Sequence, residues 1–179
     1  MRIYLTVLAL FISGIMLSQK TLLKGAKLHI GNTNVIENGL LGIDKGRIVL
    51  IKNAIVSSYD SEEWDTIIDL SGSHIYPGFV NTNNTLGLTE IDAVRATRDY
   101  DDVGEFNPHI RSQIAFNAES KVAQTVRTNG VLVTQATPRG GIISGTSSMM
   151  SLYGWNWEDA TVSKDDGIHV NWPNSTEGG

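Results

Sequence analysis

The chain has no cysteine in its 179 residues. Disulfide staples, thiol nucleophiles and cysteine-ligated metal sites are therefore all excluded. Histidine is scarce, with four residues at positions 29, 74, 109 and 169 and no two of them close in sequence. Any imidazole cluster is accordingly small. Basic side chains number 14 against 19 acidic ones, for a formal charge of -5, and they form no run. A surface that tracks nucleic-acid phosphates needs clustered lysine and arginine, so that class is set aside. What remains is ordinary for a folded protein: 41% hydrophobic and 18% charged residues, enough apolar side chain to build a core.

The amino terminus reads as an export signal. Arg2 supplies a positive start, Ile3 to Leu17 form an apolar run broken by Tyr4, Thr6, Ser13 and Gly14, and Ser18 precedes Gln19. A membrane-spanning helix needs about 20 apolar residues, and this run falls short. Residues 1–18 are therefore expected to be a cleaved secretory signal peptide. The mature chain is expected to be exported, periplasmic or extracellular, with no stable membrane anchor after cleavage. No cysteine stands at the cleavage point for lipid attachment.

Residues 19–75 read as a small β-sandwich-like subdomain. Leu22 to Ile30 forms one strand, and Gly31-Asn32-Thr33-Asn34 a turn. Leu40, Leu41 and Ile43 lead through Asp44-Lys45-Gly46 into Arg47 to Ile51, the clearest hairpin in the chain. Trp64 to Leu70 adds a strand, and no helix of useful length is expected.

The pattern changes after Pro77. A polar, charged stretch runs from Glu90 to Glu105. Asn117 is the expected N-cap of a helix carrying Ala118, Val122, Ala123 and Val126, stopped by Asn129-Gly130. Val131 to Ala136 follows as a strand, so residues 76–136 carry a strand–helix–strand signature and imply a parallel sheet. Pro138-Arg139-Gly140-Gly141 opens a glycine-rich loop. The remaining chain returns to short apolar runs with Trp155, Trp157 and Trp172.

Three segments taken in order carry a family resemblance: Asp44-Lys45-Gly46-Arg47-Ile48, Ile68-Asp69-Leu70-Ser71-Gly72, and Tyr76-Pro77-Gly78-Phe79-Val80-Asn81. Glu105 to Pro108, Asn129-Gly130-Val131, Ser144-Gly145-Thr146 and Gly154-Trp155 add to them. Over residues 20–173 the chain resembles the amino-terminal part of the amidohydrolase superfamily, particularly its imidazolonepropionase-like members. The resemblance implies an α/β fold, in which a small β subdomain feeds a (β/α)8 barrel that begins within residues 76–179 and is incomplete in this chain. It also implies a hydrolase of C–N bonds in a small cyclic or amide substrate, with a divalent, zinc-like metal in the full-length protein. The family places a His-x-His metal-ligand pair at the end of the first barrel strand. Here those positions are Asn83 and Thr85, poor ligands for zinc, so no metal is expected in this chain.

Barrel strand ends face the active-site mouth, which makes Asn83 and Thr85 substrate-binding candidates. Arg98, as an anion contact, and Glu105 are candidates from the charged loop, and His109 from the turn after Asn107-Pro108. Arg139, with Gly140 and Gly141, is the fourth region, able to meet an anion through side chain and amides. No Gly-Lys-Ser/Thr follows it, so a nucleotide P-loop is excluded. His29, His74 and His169 read as structural or packing residues. Asn83-Asn84-Thr85 and Asn174-Ser175-Thr176 match the glycosylation pattern. Three readings result: an exported amidohydrolase-like enzyme, a catalytically degenerate relative that binds a ligand, and a secreted β-rich binding module using exposed tryptophans. A small molecule is the expected partner.

Overall fold

The computed structural model describes residues 19–31 and 33–172. The expected signal peptide and the sequence motif at Asn174 lie outside them. The chain divides into two compact units with the boundary between Pro77 and Gly78.

The first unit is one mixed five-stranded sheet. Its strands are β1 (Thr21–His29), β2 (Val35–Asp44), β3 (Arg47–Asn53), β4 (Thr66–Asp69) and β5 (His74–Ile75). The order is β3-β2-β1-β4, with β5 pairing β1 beyond β4. The β2–β3 hairpin falls where Asp44-Lys45-Gly46 placed it. Lys45 and Gly46 both take positive φ, 50° and 72°, the twist a two-residue hairpin loop requires. Leu22, Ala26 and Leu40 are fully buried, and Leu28 nearly so; each large apolar side chain contributes about 1.5–3 kcal/mol by leaving water. β4 and β5 run parallel to β1 on the same edge. Gly25 bulges β1 between them at φ +83°, and a Cβ there would collide with the Ser71 hydroxyl. A second sheet, which a sandwich needs, is not found among the described residues of this unit.

The second unit holds a four-stranded sheet of order β6-β7-β8-β9. Its strands are β6 (Phe79–Asn84), β7 (Val131–Ala136), β8 (Ile143–Ser151) and β9 (Thr161–Val170). Three helices accompany them: α1 (Ser112–Ala115), α2 (Lys121–Thr128) and α3 (Trp157–Ala160). β6 and β7 are parallel, joined by the crossover that carries α2. Leu88, Phe116, Ala123, Ala136, Met150, Leu152 and Ala160 form the core, with Trp157 packed against it.

One expectation is corrected here. The α2 N-cap is Ser120, whose hydroxyl accepts from the Ala123 N–H. Asn117 instead closes a local turn, its side-chain oxygen accepting from Glu119 N–H while its amide donates to Glu90. Ala118 therefore precedes the helix. The rest of the sheet bears on the barrel expectation. After one parallel crossover, β8 and β9 are both antiparallel to their neighbours. Residues 143–170 form a long hairpin whose strands are joined through α3. The described residues are mostly β with few helices, and a barrel start is not established by them.

Candidate functional site

The site grows from the carboxyl ends of the two parallel strands, where α/β sheets bind ligands. Asn83 lies one residue from the end of β6 and takes a left-handed φ of 53°, which asparagine tolerates better than most residues. The ladder with β7 is shifted between Asn81 and Asn84. Period-two alternation does not carry across such a bulge. The spacing of Asn83 and Thr85 thus loses the meaning it has in a regular strand. Thr85 lies just past β6, where its carbonyl accepts from Leu88 N–H at 2.9 Å.

Arg139 holds Asn83 in place. Its Nη1 donates to Asn83 Oδ1 at 2.8 Å and its Nη2 to the Asn83 carbonyl at 2.7 Å. The guanidinium fork suits this two-point grip. On the other side, Asn83 N–H donates to Gln135 Oε1 at 2.9 Å. Gln135 Nε2 passes the connection to Asp166 Oδ2 at 2.6 Å, and Ser147 Oγ donates to Asp166 Oδ1 at 2.7 Å. His169 Nε2 lies 2.8 Å from the same hydroxyl. A chain of polar contacts therefore crosses all four strands, from Asn83 to His169.

Proton counting assigns the roles within it. Ser147 has one proton and gives it to the Asp166 carboxylate, so Nε2 of His169 carries a hydrogen and donates to Ser147 Oγ. Burial holds the His169 pKa below its ordinary 6.5; Asp166 opposes that shift and Arg139 adds to it. A ring nitrogen that already carries its hydrogen cannot take the Ser147 proton. Ser147 is also fully buried, and its carboxylate partner touches the hydroxyl directly and not through the imidazole. The Ser-His-Asp set is thus a structural relay, not a nucleophile assembly of the kind in which the histidine accepts the serine proton.

The other sequence candidates are dispersed. Arg98 is half-buried, with Nη1 donating to the Tyr100 hydroxyl at 3.3 Å and its guanidinium 5.9 Å from that ring centre. It is packed inward instead of presented to an anion. Glu105 anchors the loop by its carbonyl, which accepts from Ile142 and Ile143 N–H, while its side chain is exposed. His109 lines a cleft of about 650 Å³ with Arg111, Thr146 and Asp165. Arg111 bonds Asp165 there at 3.0 Å. Only Asn83 and Arg139 are brought together among the candidates.

Gln135, Ser147, Asp166 and His169 escaped the sequence reading as site residues. Gln135 left a signal, a lone amide in the strand Val131 to Ala136; the rest depended on β8–β9 register. Among the described residues no three His, Asp or Glu side chains are grouped to hold a metal. The family's strand-end metal does not fit Asn83 in particular, because its side-chain oxygen already accepts from a guanidinium. A second cation at that oxygen would be repelled.

No protein-family model matches this chain, and no curated protein matches it. Among solved structures, an amidohydrolase from Thermotoga maritima MSB8 is similar, with a TM-score of 0.77 at 20% identity. The likeness covers 87% of this chain and 39% of that one. The chain therefore has an amidohydrolase-like fold and spans well under half the length of that structure.

Proposed function

We propose that this chain forms the amino-terminal portion of an exported, amidohydrolase-like hydrolase acting on C–N bonds of a small cyclic or amide substrate. The imidazolonepropionase-like members are the relatives meant, and the two parallel strands are read as the opening of a barrel. The fold likeness supports the class, and Arg2 with the apolar run to Leu17 supports export.

The observation that carries the site assignment is the Arg139–Asn83 clamp. A guanidinium on the amide oxygen polarises the side chain and makes its NH2 a stronger donor. Asn83 is exposed, so that NH2 is available to a substrate carbonyl at the strand end. On this reading β6 orients and polarises the substrate and contributes no metal ligand. The test is hydrolysis of a panel of lactams, cyclic imides and N-acyl amides by the full-length protein. Asn83→Ala should lower turnover about a hundredfold, as loss of one carbonyl-directed donor does. Unchanged turnover would remove Asn83 from the site.

The clamp also favours a second reading, a catalytically degenerate relative that binds such a molecule without cleaving it. Saturable binding with no product formed would decide for it.

A further inference from the structure

His29 and His74 are 45 residues apart in sequence, but the first unit brings them together. β5 docks on β1 in parallel register, with Lys27 opposite His74 and Leu28 opposite Ile75. The rings of His29 and Tyr76 consequently stack, their centres 4.1 Å apart and their planes within 13°. The His74 ring lies 5.2 Å from that of His29, tilted 22°. Two polar atoms lie close to His74 Nδ1 in this arrangement. His29 Nε2 is 3.1 Å from His74 Nδ1, and the Tyr76 hydroxyl is 3.1 Å from that same nitrogen.

A simple brace between two strands would account for one hydrogen bond. It does not account for two imidazole nitrogens and a phenol oxygen gathered on an accessible face. Ligands about 2.0–2.1 Å from a tetrahedral zinc ion lie about 3.3 Å from one another. The two spacings found are a few tenths of an ångström shorter, and ligation by all three requires the exposed His74 and Tyr76 rings to swing out of their stack with His29. Lys27, the partner of His74 in the register, has its charge matched by Glu37 at 2.8 Å, so it does not oppose an incoming cation.

We propose that His29 Nε2, His74 Nδ1 and the Tyr76 oxygen form a surface site for a borderline divalent transition metal of the zinc class, with water completing the shell. Imidazole selects such ions over calcium and magnesium, which prefer oxygen. The site lies wholly within residues 19–77 and is independent of the function proposed for Asn83 and Arg139.

Calorimetric titration of the chain with zinc chloride at neutral pH tests this. One saturable zinc per chain is expected. His29→Ala and His74→Ala should each weaken uptake at least about tenfold, the loss that even outer-shell substitutions bring at metal sites. Tyr76→Phe keeps the ring stack and removes only the oxygen, so it should weaken binding without disturbing packing. His109→Ala should change nothing. Absence of saturable uptake, or uptake unaltered by both His74→Ala and Tyr76→Phe, would overturn the proposal. Circular dichroism of each variant separates a lost ligand from a lost fold, and Tyr76→Phe alone decides if the alanine variants unfold.

Discussion

The two units bury different chemistry. In residues 19–77 the buried side chains are leucines and an alanine: Leu22, Ala26, Leu28, Leu40 and Leu41. In residues 78–172 nine polar side chains are buried, among them Gln113, Thr134, Ser147 and Ser148, alongside the apolar core. Among the described residues no polar side chain is that deeply buried in the first unit. A buried polar group is destabilising unless its hydrogen bonds are met. Most of those in the second unit are met: Ser112 Oγ donates to the Ala136 carbonyl at 2.7 Å, and Thr134 Oγ1 to Asn84 Oδ1 at 2.9 Å, while Thr89 Oγ1 and Arg98 Nε are buried without a partner. The first unit keeps its ion pairs, Lys24–Asp69 and Lys27–Glu37, on its surface, whereas the second builds polar side chains into its interior. Polar groups held rigidly behind a strand end are what a binding site requires. The contrast is consistent with placing the proposed Asn83–Arg139 site in the second unit.

Substitutions should respond to that contrast unequally. The largest effect is expected in the apolar sheet: Leu40→Ala should cost about 2–5 kcal/mol in chemical denaturation, since a fully buried leucine leaves a cavity. A loss no larger than that of a surface change would contradict the burial account. Ser147→Ala comes next, at about 1–3 kcal/mol, because Asp166 and His169 each lose their shared partner. If Ser147→Ala were neutral, the relay would have no structural role.

Acidification should act on the second unit specifically. The folded His169 pKa lies below 6.5, so the unfolded chain binds protons more readily there. The stability it contributes is present above pH 6.5 and is lost as pH falls below that value. Melting curves between neutral and mildly acid pH should show the decline, and His169→Gln should flatten it. A decline as steep in the variant would assign it to other groups.

The smallest effect is expected at an exposed ion pair of the first unit. Asp69 is held down to about 2 by its bonds from Ser71, with Lys24 adding to them. Its contribution is full above the ordinary 3.8 and disappears as pH falls through about 2. Carbon-detected titration should find that midpoint, and Ser71→Ala should move it up towards 3.8. A midpoint unmoved by Ser71→Ala would make Lys24 the main cause.

Local features were legible in the sequence. The Lys45-Gly46 hairpin, the strand Val131 to Ala136 and the parallel pair around α2 all follow from short-range turn chemistry and periodicity. The α2 start was missed because Asn117 and Ser120 both cap well, and only Ser120 is enclosed by the core. The hairpin of Ile143 to Val170 was not legible, because antiparallel pairing of two distant strands leaves no local signal. Asn83 and Arg139 were legible singly; their grip on each other depends on a bulge no pattern announces. His29 and His74 were dismissed as separate because parallel pairing joins residues far apart in the chain.

One experiment sets the two regions side by side: zinc-edge anomalous diffraction from crystals grown with zinc. The account predicts an anomalous peak between His29 and His74, and none beside Asn83, where the Arg139 guanidinium occupies the amide oxygen. A peak coordinated by Asn83 or Thr85 would contradict the account's reading of the strand end.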